Sequence, residues 1–399
     1  MPDLFKLKEH AWSEGKGRYD FLDLFRGIIV LFMIEGHVVR ELLTPELRAA
    51  KLFAFHEVFH GITAPGFLFS AGFAFAIAAQ RRWAEAITIN INLFKRTWRA
   101  VMLILIGYAL HLPYLSLGKT IREATPEQWN VFFAFDVLQC IGVGILLLRI
   151  LLYVVKREHV FIASLCALTL AVAYAAPVFG SGSFVHLPLF FSSALTTSSG
   201  SPFPLFPFLG FLFAGAFVSW IFLSSAQKGR EAFFMRWIFG GGMFLFVLGY
   251  CLDSFPLRTY PVYNFWSTSP NYFLMRLGIL LLMLSTLWFF EDILASNGSP
   301  SKWIPRWLTM LGMQSLFVYI VHLLVLYGWV VNPEWNIRHW FGGSSGIFVS
   351  LLISFLVVCS MIPAAFAWRF LKKYHPVLTN GILWWMGFSL AWSFFFHPY

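Results

Sequence analysis

The chain alternates long apolar segments with short polar connections from residue 21 almost to its end. A helix needs about 20 apolar residues to cross a bilayer core, and these segments lack the period-two alternation of a membrane β-strand. The pattern therefore predicts an all-α polytopic membrane protein with about eleven transmembrane helices. The predicted spans are residues 21–42, 59–79, 98–117, 132–154, 160–178, 204–225, 233–252, 273–293, 307–330, 347–370 and 381–396.

Composition agrees with lipid as the main solvent of this chain. Hydrophobic residues make up 59% and charged residues 12% of the sequence, whereas soluble domains have about 25% charged residues. The net charge of +10 is spread over short connections and forms no single basic patch, so we expect membrane lipids and no nucleic acid as partners. The four cysteines lie in apolar segments without a Cys-x-x-Cys, which excludes a disulfide framework or a cysteine zinc site.

The distribution of basic residues predicts the orientation in the membrane. Twenty of the 29 lysines and arginines lie in the N-terminal segment or in every second connection after it. Cytoplasmic connections carry such an excess, so we expect a cytoplasmic N-terminus and, after eleven spans, a C-terminus outside. Residues 1–20 are predicted to be a cytoplasmic segment without a cleaved signal peptide. Residues 1–399 then form a single transmembrane domain, multi-pass in the plasma (inner) membrane.

Arg26 and His37 lie eleven residues apart in the first predicted span. That spacing corresponds to about 16 Å of helical rise and to nearly whole turns, so both side chains share one face. An ionisable side chain costs roughly 2.5–3.5 kcal/mol at bilayer depth and is a functional candidate there. The alternative for Arg26 is a structural one, in which it reaches the inner surface and pairs with Asp23.

The segment His56-Glu57-Val58-Phe59-His60 matches the zinc pattern His-Glu-x-x-His. On a helix this spacing places two imidazoles on one face beside a general base. Gly61 and Pro65 follow closely and would disturb the supporting helix, and no third ligand follows at a known spacing. We therefore expect no metal and interpret His56 as a metal-free catalytic histidine.

Two other predicted spans carry polar side chains. Ser315, Tyr319 and His322 share one helix face in the ninth span, and Asp136 and Gln139 share a face in the fourth. A carboxylate such as Asp136 can orient a histidine or bind a sugar hydroxyl. The structural alternatives are hydrogen bonds between neighbouring helices and a helix cap. In the predicted orientation four features converge on the outer half of the membrane: His37, His56, the pair Asp136 and Gln139, and His322.

These residues resemble motifs of a membrane acyltransferase superfamily. Its branches include heparan-alpha-glucosaminide N-acetyltransferase-like proteins and family-3 membrane acyltransferases. The run Asp23-Leu-Phe-Arg26-Gly with His37 is similar to the opening motif of the second branch. The run His56–Thr63 is similar to the segment with the active-site histidine of the first branch, which has Asn in place of His37 and a shorter segment before His56. Further similar segments follow in the family's order over residues 18–330: Pro65–Gly72, Asp136–Gln139, Phe203–Gly210 and Leu311–His322.

The resemblance implies acyl transfer from a cytoplasmic acyl-CoA, in the first place acetyl-CoA, to a hydroxyl or amine of a carbohydrate or glycolipid on the outer side. Arg26 is the candidate for binding the phosphates of CoA. A neutral imidazole would take the proton of the attacking acceptor. The remaining expected roles are catalytic for His56, His37 and Asp136 and substrate-binding for Gln139, Ser315, Tyr319 and His322.

Other functions fit parts of the pattern. Ionisable residues within spans also build the substrate paths of secondary transporters, although the sequence shows no repeated halves. An intramembrane zinc protease using His56, Glu57 and His60 is a weaker alternative, and a scaffold with structural polar residues is a third. The acceptor, the acyl group and the oligomeric state are left open by the sequence.

Overall fold

A computed structural model describes residues 19–396 apart from 89–90, 183, 256–259, 261–263 and 297–304. Most of the predicted N-terminal segment lies outside the described residues. Within them every regular element is a helix. The main helices are α1 Asp20–Leu42, α2 Lys51–His60, α3 Thr63–Gln80, α4 Ile91–Leu110, α5 Val137–Val155, α6 Glu158–Gly180, α7 Leu205–Gln227, α8 Glu231–Ser254, α9 Pro270–Ser296, α10 Arg306–Met313, α11 Ser315–Tyr327, α12 Ile347–Tyr374 and α13 Pro376–Phe396. Short helices in the connections are Pro45–Arg48, Trp83–Ala86, Leu117–Glu123, Pro126–Phe133, Leu189–Leu195, Thr197–Ser199 and Ile337–Phe341.

The helical, multi-pass architecture predicted from the sequence is confirmed. In the described part of the chain seven helices are long and apolar enough to cross a membrane, or eight if α10 and α11 form one broken span. The other predicted spans overlap α1, α4 and α13, although α4 begins and ends seven residues before the predicted span 98–117 does. The count of eleven and the orientation stay predictions. Helices α1 and α4 are long enough, but charged residues interrupt them: Asp20, Asp23, Arg26, Glu35, Arg40 and Glu41 in α1, and Lys95, Arg96 and Arg99 in α4.

The structure differs from the predicted elements in two further places. One continuous helix over residues 307–330 is wrong, because α10 and α11 meet at an angle of 84°. The break lies at Gln314, whose backbone angles of φ −107° and ψ 24° leave the helical region. The predicted polar connection 43–58 is also largely helical, since it contains most of α2. Both differences bear on the site, because α2 and α11 carry candidate residues.

Helix α7 is the centre of the bundle, with α3 and α6 packed against it. A Cβ added at Gly72 of α3 would overlap the carbonyl of Leu212, and one at Gly215 of α7 would overlap the carbonyl of Phe69. The two backbones are therefore in direct contact, which is how small residues allow helices to pack in membranes. Helix α1 packs against α10 and α12, α4 against α5, and α8 against α9.

Candidate active site

Helices α1 and α11 bring two histidines into contact. Nδ1 of His37 lies 3.0 Å from Nε2 of His322, and the two rings are nearly parallel, with centroids 5.3 Å apart. His322 is completely buried, whereas His37 lines a cavity. The pair therefore consists of one imidazole that reaches the cavity and one behind it.

The hydrogen bonds of this pair define which ring nitrogen of His37 is basic. Nδ1 of His322 lies 2.9 Å from the carbonyl oxygen of Val318, and a carbonyl only accepts, so this nitrogen carries the hydrogen. In the neutral ring Nε2 of His322 is then an acceptor, and Nδ1 of His37 must donate to it. Nε2 of His37 is left with a lone pair that can take a proton.

Asp136 is held between its own helix and α11. Its Oδ1 accepts a hydrogen bond of 2.7 Å from the backbone N–H of Val137 and caps α5. Its Oδ2 accepts one of 2.6 Å from the hydroxyl of Tyr319. The sequence predicted that Asp136 orients a histidine or binds a sugar hydroxyl; in the structure the carbonyl of Val318, and not Asp136, contacts Nδ1 of His322. The contact of Asp136 fixes Tyr319, one turn before His322.

His56 on α2 forms a second imidazole site with Glu35 of α1. Its Nε2 lies 2.9 and 3.0 Å from the two carboxylate oxygens of Glu35. A carboxylate only accepts, so Nε2 carries the hydrogen and Nδ1 has the lone pair. That Nδ1 is buried and has no hydrogen-bond partner among the described residues. The Glu35–His56 pair thus also presents a basic nitrogen, outside the cavity that His37 lines.

His60 stands between the two histidine sites. Its ring centroid is 5.4 Å from that of His37 and 6.4 Å from that of His56. Among the described residues no group of three or more His, Cys, Asp or Glu side chains has a metal-binding arrangement. Helix α2 ends at His60, and α3 begins at Thr63. Gly61 and Ile62 between them keep right-handed helical backbone angles, so the predicted disturbance near Gly61 is slight, and Lys51–Gln80 counts as one of the seven long apolar helices.

Two cavities adjoin along α11. The first has a volume of about 530 Å³ and is lined by residues that include His37, His60, Asp136 and Tyr319. In the orientation predicted from the sequence it lies in the outer half of the membrane. The second cavity, of about 450 Å³, extends toward the other end of the helices. We call these the histidine cavity and the arginine cavity. Both are lined by Phe67, Val137 and Tyr319.

The arginine cavity is strongly basic. Four arginines line it, and none of its lining residues is acidic. Nη2 of Arg26 donates a 2.9 Å hydrogen bond to the carbonyl of Ser70, which fixes the guanidinium at the wall. The first turn of α11, at Ser315 and Leu316, also lines the cavity, and a helix N-terminus adds partial positive charge. The arginines are Arg26, Arg96, Arg99 and Arg149.

A comparison with known families identifies the chain. Residues 18–249 match the family described as heparan-alpha-glucosaminide N-acetyltransferase, catalytic, which is more than half of the 399 residues. The chain belongs to this family. No individual curated protein matches it significantly. The membership agrees with the resemblance expected from the motifs and gives this chain a membrane acetyltransferase-type function.

Helices α1 to α7 lie wholly within the part that matches the heparan-alpha-glucosaminide N-acetyltransferase family. That part contains Arg26, His37, His56 and Asp136. Helix α11, which supplies Tyr319 and His322, lies beyond it. The histidine pair therefore joins the family-matching part of the chain to a helix outside it.

The other predicted residues take different positions in this family member. Ser315 lines the arginine cavity rather than the histidine cavity. Gln139 lines neither; it is completely buried, and a Cβ at Gly107 would overlap its amide. Both amide atoms of Gln139 have no hydrogen-bond partner among the described residues. His56 lines neither cavity and contacts Glu35 instead.

Sequence reasoning missed several residues that the structure brings to the site. Glu35 was not singled out, although it is a carboxylate inside an apolar helix. Arg96, Arg99 and Arg149 were interpreted only as orientation signals. Their positions in the sequence could have indicated a basic site. Arg96 and Arg99 share a helix face, and Arg149 lies inside the apolar span 132–154.

Proposed function

We propose that this protein transfers an acetyl group from acetyl-CoA, bound from the cytoplasmic side, to an amine or hydroxyl of a carbohydrate or glycolipid that enters from the outer side. The observation that carries the proposal is the pair of adjoining cavities: one lined by four arginines, the other by His37 and His60, with Tyr319 at the wall of both. Such a pair matches a donor whose anionic end lies in the arginine cavity; the histidine cavity also has charged lining residues of both signs, Arg40, Glu41 and Arg338.

The arginine cavity fits the nucleotide end of acetyl-CoA. Guanidinium groups bind phosphates through charge-assisted, bidentate hydrogen bonds. Nε of Arg149 is buried without a hydrogen-bond partner among the described residues, so a donor group is available there. With the phosphates at this end, the pantetheine arm would run past Phe67 and Tyr319 and place the thioester in the histidine cavity.

His37 is the base in this proposal. The acceptor N–H or O–H attacks the thioester carbonyl, and Nε2 of His37 takes the proton as the new bond forms. The C–S bond then breaks, and the resulting thiolate of CoA receives the proton from His37. His322 holds His37 in the tautomer that this transfer requires.

The Glu35–His56 pair has a different task, which depends on the acceptor. An amine arrives mainly as an ammonium ion and must lose one proton before it can attack, whereas a hydroxyl attacks without this step. His56 lines neither cavity, so that proton would pass through His60, which lines the histidine cavity and lies between His37 and His56. Nδ1 of His56 would receive it, and the carboxylate of Glu35 would stabilise the imidazolium that forms. The family resemblance of His56 to an active-site histidine supports a role in turnover.

The test is acceptor-dependent release of CoA thiol by the purified protein. With acetyl-CoA and glucosamine we expect turnover, and His37→Ala should lower kcat by about 10²- to 10⁴-fold, the usual contribution of a general base. His186→Ala is the matched control, because His186 is exposed and lines neither cavity. Absence of acceptor-dependent CoA release, over a panel of amino sugars and neutral sugars, would contradict the proposal.

The same preparation separates the transporter alternative. A secondary transporter would move a sugar into proteoliposomes without consuming acetyl-CoA. An acetyltransferase consumes one acetyl-CoA for every acetylated acceptor that it forms. Measuring labelled sugar uptake and CoA thiol in the same sample assigns the function to one class.

A further inference from the structure

A surface groove continues from the histidine cavity. Its volume is about 460 Å³, within the range of roughly 300–1,000 Å³ of pockets that bind small molecules. Five residues line both the groove and the histidine cavity, so the two spaces are continuous. They are Leu110, His111, Val131, Tyr327 and Gly328.

The wall of the groove combines an aromatic face with fixed polar groups. Nε1 of the Trp329 indole donates a 3.0 Å hydrogen bond to the carbonyl of Ala109, which holds the ring in place. Nδ1 of His111 lies 2.9 Å from the carbonyl of Gly107 and so carries the hydrogen, leaving Nε2 as an acceptor. Glu127 and Gln128 complete the polar lining.

The segment that carries Trp329 is built to a defined shape. Gly328 has φ +71°, a conformation that favours glycine, and a Cβ there would overlap the carbonyl of Asn332. The N–H of Asn332 donates to the carbonyl of Trp329 at 2.9 Å, and its side-chain amide donates to the carbonyl of Leu324 at 3.2 Å. A preformed wall loses little entropy on binding.

The charge of the groove decides which substrate it suits. No lysine or arginine is among its lining residues, and Glu127 is, so a polyanionic nucleotide is disfavoured. An aromatic ring beside hydroxyl, amide, imidazole and carboxylate groups suits a sugar, whose C–H face stacks and whose hydroxyls hydrogen-bond. The donor and this ligand therefore belong to opposite ends of the connected cavities.

We infer that the groove is a subsite for the second sugar unit of an oligosaccharide acceptor, whose reacting unit lies in the histidine cavity. This inference rests on the proposed acetyl transfer to a carbohydrate. Trp329 is its main contact, and Glu127 and His111 provide hydrogen bonds. The protein should then prefer an acceptor of two or more units over the single sugar.

The experiment compares glucosamine with its β-1,4-linked dimer and trimer, each with acetyl-CoA. In the unmodified protein we expect the KM of the trimer to lie about tenfold below that of glucosamine, the effect of roughly 1.4 kcal/mol of extra binding. Trp329→Ala should raise the KM of the trimer, so that the ratio of the KM values of trimer and glucosamine approaches one. Trp329→Phe should keep most of the preference, since it retains an aromatic ring.

Trp335→Ala is the matched control. Trp335 lies six residues further along the same connection, is 76% exposed and does not line the groove. It should leave the ratio of the two KM values unchanged. The trimer attached to an octyl chain separates a glycolipid headgroup from a free oligosaccharide: a further fall in KM identifies the glycolipid.

Direct binding of the trimer, measured by calorimetry without acetyl-CoA, separates this inference from the proposed function. Trimer binding that Trp329→Ala abolishes, without any turnover, would support the subsite and contradict the acetyl transfer. Turnover of glucosamine with no advantage for the trimer would overturn the subsite and keep the acetyl transfer. Neither binding nor turnover with any of these sugars would overturn both.

Discussion

His37 and His322 are hydrogen-bonded to each other across 285 positions of the chain, with 3.0 Å between Nδ1 and Nε2. The bond joins the first helix of the bundle to the second half of the broken pair α10–α11. It therefore makes the basicity of a cavity-lining nitrogen depend on His322, whose side chain is completely buried. His322 is a positioning residue in this account.

His322→Leu should lower kcat and leave KM for both substrates nearly unchanged. The substitution removes the acceptor for Nδ1–H of His37, so the ring can take the wrong tautomer or rotate. His322→Gln should restore part of the loss, because its amide oxygen can accept the same hydrogen bond. Equal activity of the Leu and Gln variants, or a loss confined to KM, would contradict this role.

Arg149→Gln should weaken binding of acetyl-CoA. Loss of one hydrogen bond between charged partners costs about 1.5–3 kcal/mol, or roughly a 10- to 100-fold rise in KM for the donor. The KM for the acceptor should not change. Repeating the series with 3′-dephospho-acetyl-CoA shows which phosphate Arg149 contacts. If Arg149 contacts the 3′-phosphate, the variant and the unmodified protein should have the same KM for this donor.

Arg82→Gln is the control for the arginine cavity. Its side chain is 59% exposed, and it does not line the cavity, so the KM for acetyl-CoA should stay within experimental error. If Arg82→Gln and Arg149→Gln raised the KM for acetyl-CoA equally, general surface charge, and not a phosphate site, would explain the effect.

Glu35→Gln should slow the transfer to amines much more than the transfer to hydroxyls. Gln can still accept a hydrogen bond from His56 but does not stabilise its protonated form. The measurement compares kcat/KM for an amino sugar and for the matching neutral sugar in both proteins. A uniform effect on the two acceptors would assign Glu35 a structural role.

Tyr319→Phe should destabilise the bundle. The hydroxyl of Tyr319 donates to Oδ2 of Asp136 at 2.6 Å, and both residues are buried. A buried carboxylate oxygen without its donor costs about 1–3 kcal/mol, so the thermal unfolding midpoint should fall. Tyr374→Phe, at a side chain that is 58% exposed, should leave the midpoint unchanged.

The helices were predictable because lipid requires long apolar segments, and each predicted span overlaps at least one helix, although 307–330 is broken into α10 and α11. The break at Gln314 was not, because the nearby Gly312 is a single glycine in an apolar segment, which a continuous helix tolerates. Helical periodicity was enough to place Ser315, Tyr319 and His322 on one face. The pairing of His322 with His37 could not be predicted in this way, because it depends on how α1 packs against α11. The partner of His56 was missed for the same reason: Glu35 lies 21 residues earlier, on another helix.

The sidedness of the reaction is the most direct test of the account. Proteoliposomes are prepared with acceptor sugar enclosed and [acetyl-¹⁴C]acetyl-CoA added outside, and protein inserted with its cytoplasmic face outward is selected by protease protection. The account predicts labelled acetyl groups on the enclosed sugar and CoA thiol on the outside, both lost in His37→Ala. Labelling that occurs only when donor and acceptor share one side of the membrane would contradict it.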